Sequence, residues 1–169
     1  KFVLLNLFMM FVHIVIALWF YIIGVQPLFA TNTIGSIIYG TSTFLSSTGK
    51  ELQTPYISFF EIIIQASFAV YYVGWDCGFA QFIIAFIPIV IYSMSTINDA
   101  SNKQFLIAIG MSLCDFVAYI LLRHLSIHKQ PVYTLHKDSL DALFIYAAIW
   151  MYVSIIACCF IYAIENRRI

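Results

Sequence analysis

A chain of 169 residues that is 63% hydrophobic, 18% aromatic and only 9% charged, with a formal net charge of zero, carries more apolar surface than one soluble core can bury. That balance excludes a soluble globular domain. It also excludes a nucleic-acid partner, because the longest basic run is Arg167-Arg168. The expected class is all-α: a polytopic membrane protein whose residues 1–169 form one domain, a bundle of six transmembrane helices.

The first span is expected over Phe2–Val25, with Trp19 and Tyr21 near its end, where an interfacial aromatic belt belongs. It is too long and too aromatic for a cleaved signal peptide. Its histidine, His13, reads first as an interhelical hydrogen-bonding group and second as a metal ligand. The second span, about Leu28–Ser47, is rich in Ser, Thr and Gly, and Ser36 and Gly40 form a small-residue face suited to close helix packing. A polar cavity is the alternative there.

The third and fourth spans, Ile57–Val73 and Phe79–Tyr92, form a hairpin around Gly74-Trp75-Asp76-Cys77-Gly78. Glu61 lies among isoleucines in the third, with Gln65 one turn later on the same face. A carboxyl in lipid must find a donor, become neutral or face water, so it is a candidate functional group by default. Either it ties its helix to a neighbour, or it gates, couples to protons or transmits a signal. Pro88 is expected to kink the fourth span or to free the Ile84 carbonyl.

A polar loop, Thr96–Lys103, precedes the fifth span, Phe105–Leu122, where Asp115 lies mid-membrane. The expected partners of Asp115 are His13 and the hydroxyls of the second span, with a ligand or ion contact as the alternative. Arg123–Asp138 is the longest polar stretch and holds His124, His128 and His136. The sixth span follows at about Leu140–Ile164.

Counting Lys and Arg sets the orientation. With both termini cytoplasmic, the inner side carries five (Lys1, Lys50, Lys103, Arg167, Arg168) and the outer side three (Arg123, Lys129, Lys137). This arrangement, in the plasma membrane, puts the 74–78 turn and the histidine-bearing loop together outside. Tyr71, Tyr72 and Trp75 suit the headgroup level. Asp76 can stay wet there, cap the following helix, or join the three histidines in a pH- or cation-responsive surface. No Gly-x-Ser-x-Gly, His-Glu-x-x-His or phosphate-loop pattern occurs, and Cys77, Cys114, Cys158 and Cys159 lack metal-type spacing. Neither an active site, a metal nor a cofactor is expected within this chain.

The stretch Glu61-Ile62-Ile63-Ile64-Gln65, then Val73-Gly74-Trp75-Asp76-Cys77-Gly78-Phe79, then a span ending Ile87-Pro88-Ile89-Val90, resembles the six-helix membrane domains that precede the catalytic domain of many bacterial nucleotide cyclases. These include GGDEF diguanylate cyclases and some class III adenylyl or guanylyl cyclases. Leu122-Arg123-His124 and Gln130-Pro131-Val132-Tyr133-Thr134-Leu135 resemble the family's last outer loop. The likeness covers most of the chain from Glu61 onward. The family often has a histidine where Gln65 stands, so a metal or haem at that pair is not carried over.

The resemblance implies a sensor and anchor domain that dimerises. Its sixth helix would run into a cytoplasmic signalling helix near Glu165-Asn166-Arg167-Arg168, with a cyclase domain beyond Ile169. Candidate contacts for an unidentified small ligand or lipid are His13, Glu61, Gln65, Tyr72, Trp75, Asp76 and Asp115, with an external pocket near Trp75 and Asp76. The competing readings are a small proton- or solute-coupled transporter and a structural subunit of a membrane complex.

Overall fold

The computed structural model describes residues 2–49, 53–95 and 102–166, and along them six helices follow one another. They are α1 (Phe2–Ile22), α2 (Gln26–Ser47), α3 (Gln53–Val73), α4 (Gln81–Ser95), α5 (Asn102–His128) and α6 (Lys137–Asn166), with one 3-10 turn at Trp75–Cys77. Four of them contain segments long and apolar enough to cross a bilayer: Val3–Ile22, Thr54–Val73, Asn102–His128 and Lys137–Ala157. The two other expected spans fall short for different reasons. At 15 residues, α4 is roughly 22 Å long, less than the ~30 Å hydrocarbon core. The 22-residue α2 has the length, but its Ser, Thr, Asn and Gly dilute its apolar character.

Turn chemistry sets the boundaries. Gly24 adopts a positive φ of 78°, and Pro27 starts the next helix, so Val25 belongs to the connection rather than to the first span. Two helices, α3 and α5, run past the ends that their sequence patterns suggested. Pro55 is accommodated in the first turn of α3, which therefore begins ahead of Ile57. Asn102 and Lys103, expected in a loop, open α5. Arg123–His128 continue that helix, because nothing before Pro131 removes an amide or forces a turn. Residues 96–101 of the expected polar loop, and Arg167 and Arg168 of the expected signalling helix, lie outside the described residues.

The interior is mostly apolar, yet large apolar side chains also cover the outside and several polar ones lie within. Leu4, Ile22, Phe44 and Leu106 are exposed, whereas Asn6, His13, Asn32, Glu61 and Asp115 are buried. Lipid solvates apolar side chains, so association within it relies on packing and interhelical hydrogen bonds. The weakly apolar α2 illustrates how this is met. Thr31, Thr33, Ser36, Thr41 and Thr43 each return their hydroxyl hydrogen to a carbonyl one turn back in the same helix. The buried face of α2 instead runs Leu28, Asn32, Gly35, Tyr39, Ser42, Ser46. That alternation of four- and three-residue steps is a helix-packing seam.

The closest approach along this seam is at Gly35, one residue from the small face expected at Ser36 and Gly40. A Cβ on Gly35 would stand 2.7 Å from His13 Nδ1. Beyond the α1–α2 hairpin, α3 packs on α2, α4 and α5, and α4 pairs with α5. On the remaining side, α6 meets α1 through an edge-on Trp150–Phe8 contact and a 2.8 Å hydrogen bond from the Tyr146 hydroxyl to the Val12 carbonyl.

At the end of the bundle carrying the 74–78 turn, the α5–α6 connection lies over the end of α3. The Val132 and Tyr133 amides donate to the Tyr71 and Tyr72 carbonyls at 3.3 and 2.7 Å. The Arg123 guanidinium sits 4.9 Å from the centre of a Trp75 ring, and Lys129 Nζ lies 4.3 Å from that of Tyr71. The turn and the long polar connection therefore share one end of the bundle.

Candidate functional site

Among the described residues, two regions gather most of the expected site residues. The first is at the 74–78 turn. Gly74 and Gly78 both hold positive φ, 95° and 80°, which reverses the chain within five residues. The turn is pressed onto α6: a Cβ at Gly78 would lie 2.9 Å from Phe144 Cδ2 and 3.2 Å from its Cα. Between the glycines, Cys77 is fully buried among Phe20, Val73, Phe79 and Leu143. Burial pushes its thiol up to about 12, so it stays protonated and acts as an apolar wedge.

A cleft of about 390 Å³ opens beside this turn, lined by Trp75, Asp76, Gln81, Tyr119, Asp141 and Phe144. Asp76 is exposed and does not cap α4. The helix starts five residues later, and backbone carbonyls of Gly78, Phe79 and Ala80 accept from the amides of Gln81, Phe82 and Ile83. None of the three loop histidines lines the cleft with Asp76. His136 Nδ1 lies 3.2 Å from the Asp138 carboxylate, and His124 and His128 stack edge-on at 4.7 Å along α5. The second acid at the cleft is Asp141, in the first turns of α6. Tyr72 supports the turn from behind, between the rings of Phe68 and Tyr133.

The second region lies inside the bundle, where α1, α2 and α3 meet. Glu61 stands two turns into α3 and is 7% exposed. Its Oε2 accepts from the Tyr39 hydroxyl at 3.0 Å, and its Oε1 lies 3.3 Å from His13 Nε2. On the other edge of the imidazole, Nδ1 faces Asn32 Oδ1 at 3.1 Å. Because Asn32 Nδ2 donates to the Leu28 carbonyl at 2.7 Å, Oδ1 is the acceptor and His13 Nδ1 carries a hydrogen. Its Nε2 edge faces the Glu61 carboxyl, so the ring bridges Asn32 of α2 and Glu61 of α3. Tyr39 stacks on the imidazole at 5.2 Å, and Gly35 supplies the space that the ring occupies.

Asp115 has no such company. It is fully buried on the face of α5 shared by Ala108, Met111 and Leu122, and neither carboxyl oxygen has a hydrogen-bond partner. The expected pairing with His13 is corrected: His13 is held by Glu61 and Asn32, while α5 packs on α4 and α3. Gln65, one turn from Glu61 on the same face of α3, leaves both amide atoms buried and unpartnered.

Asn32, Tyr39, Asp141 and Phe144 escaped the sequence reading. For Asn32 and Tyr39 a signal existed, since both fall on the four–three seam of α2; for Asp141 and Phe144 the sequence offered only proximity to the start of a helix. Among the described residues no group of three or more His, Cys, Asp or Glu side chains could hold a metal ion. Comparison with protein-family models, with characterised proteins and with solved structures finds no match to this chain.

Proposed function

We propose that this chain is the membrane-anchoring, ligand-sensing domain of a nucleotide cyclase, a six-span bundle that reports the occupancy of an outer cleft through α6 to a cytoplasmic catalytic domain beyond Ile169. One observation supports this reading above the rest. The cleft has the 75–77 turn and the start of α4 on one wall and Asp141 and Phe144 of α6 on the other, so its occupant touches the helix that leads to the output. The cleft is of ligand size. A ligand that prefers one placement of α6 by about 2 kcal/mol shifts an attached activity about thirtyfold. The likeness of the 61–90 hairpin to cyclase membrane domains supplies the nature of that output, and a dimer is its expected assembly.

The test begins with the open reading frame past Ile169, where a helical linker and a cyclase domain are expected. In membranes containing that full-length protein, Phe144→Ala and Asp141→Ala are expected to change cyclase output at least fivefold, without loss of folded protein. A frame with no catalytic domain, or variants with unaltered output, would overturn the reading. The buried His13–Glu61 pair favours a second reading, a proton-coupled carrier, for which acidification of proteoliposomes by the purified chain is the discriminating assay.

A further inference from the structure

A cavity of about 40 Å³ adjoins the His13–Glu61 pair and is independent of the outer cleft. Most of its wall is apolar, with Val12, Ile16, Ala66 and Phe82 among the lining side chains, and His13, Asn32, Glu61, Gln65 and Tyr146 bring polar groups to it from α1, α2, α3 and α6. Three polar atoms near it have no hydrogen-bond partner in the protein: Glu61 Oε1 and both amide atoms of Gln65, all without solvent access. The approach of His13 Nε2 to Glu61 Oε1 is an ion-pair contact at 3.3 Å and leaves that oxygen room for a donor. Gln65 brings both a donor and an acceptor, one helical turn from Glu61 on the same face of α3.

An apolar cavity of this size stays empty, whereas one lined by unsatisfied polar atoms holds water, provided each molecule finds two to four partners. The space is sufficient for about two water molecules. We propose that this cavity is an internal water-binding site. Water there donates to Glu61 Oε1 and exchanges hydrogen bonds with the Gln65 amide, joining Gln65 to the cluster of His13, Asn32, Tyr39 and Glu61. The titratable groups around it are His13 from α1, Tyr39 from α2, Glu61 from α3 and Tyr146 from α6; the Tyr39 and Tyr146 hydroxyl hydrogens are committed to Glu61 Oε2 and the Val12 carbonyl. The His13–Glu61 pair consequently faces water on its Oε1 side.

The test uses the whole chain, labelled with ¹⁵N-glutamine, in lipid nanodiscs. A nuclear Overhauser cross-peak between the Gln65 side-chain amide and water is expected, assigned by its loss in Gln65→Leu. Ala66→Val, which narrows the cavity, is expected to remove the cross-peak and lower the unfolding midpoint, because displaced water leaves Glu61 and Gln65 unsatisfied. In a dry cavity the amide gives no water cross-peak, and the added methyl groups fill a void and raise the midpoint; either result overturns the proposal. If Ala66→Val fails to fold, the presence or absence of the cross-peak in the unaltered chain decides.

Discussion

Glu61 and Asp115 are both carboxyl groups buried within membrane-length helices, yet their surroundings are opposite. Around Glu61 three helices converge: Tyr39 donates to its Oε2, His13 approaches its Oε1, and Asn32 holds the far edge of the His13 ring. Asp115 is more deeply buried than Glu61 and has no hydrogen bond on either oxygen. The difference shows that intramembrane acidity alone does not define a structural role. A connected carboxyl holds helices in register, whereas an isolated one destabilises the fold that contains it and invites a functional explanation.

The largest expected effect tests the connected side. Glu61→Leu leaves the Tyr39 hydroxyl and one edge of His13 without their partner, and should lower stability by about 3 kcal/mol. His13→Leu should cost a comparable amount. Unfolding of each purified variant in mixed detergent micelles measures both, and losses below ~1 kcal/mol would show that the cluster does not hold α1, α2 and α3 together.

For Asp115 the expected sign reverses. Asp115→Leu replaces an unsatisfied carboxyl by an apolar side chain on a face already formed by Ala108 and Met111, and should raise stability by about 1–3 kcal/mol in the same assay. Destabilisation of that size would mean that Asp115 has a partner which stabilises the bundle, and the contrast with Glu61 would disappear.

The sequence made the helices legible because each long apolar run is bounded by turn chemistry: Gly24 and Pro27, Gly74 and Gly78, Pro131. It misplaced the end of α5, since Arg123, His124 and His128 look like loop residues by polarity, although polarity alone does not break a helix. Glu61 and His13 were recognisable as buried polar groups, but their mutual pairing was not. Hydropathy gives depth along the membrane normal, whereas pairing depends on which helices are neighbours and how each is rotated. The four–three spacing of Leu28, Asn32, Gly35, Tyr39, Ser42 and Ser46 held that rotational information for α2, hidden beneath the more conspicuous Ser and Thr content.

The smallest expected effect is a coupling rather than a loss. Glu61 has partners in α1 and α2 and Asp115 has no hydrogen-bond partner, so the two carboxyls share no hydrogen bond and no common partner. Changes at sites with no shared partner add to within about 0.5 kcal/mol, whereas members of one hydrogen-bonded set couple by about 0.5–3 kcal/mol. The Glu61→Leu/Asp115→Leu double variant should therefore unfold with the sum of the two single effects, while Glu61→Leu/His13→Leu should be far less destabilised than its sum. Coupling above ~1 kcal/mol in the first pair would place both carboxyls in one electrostatic unit, and the division of the bundle into a connected and an isolated acid would have to be abandoned.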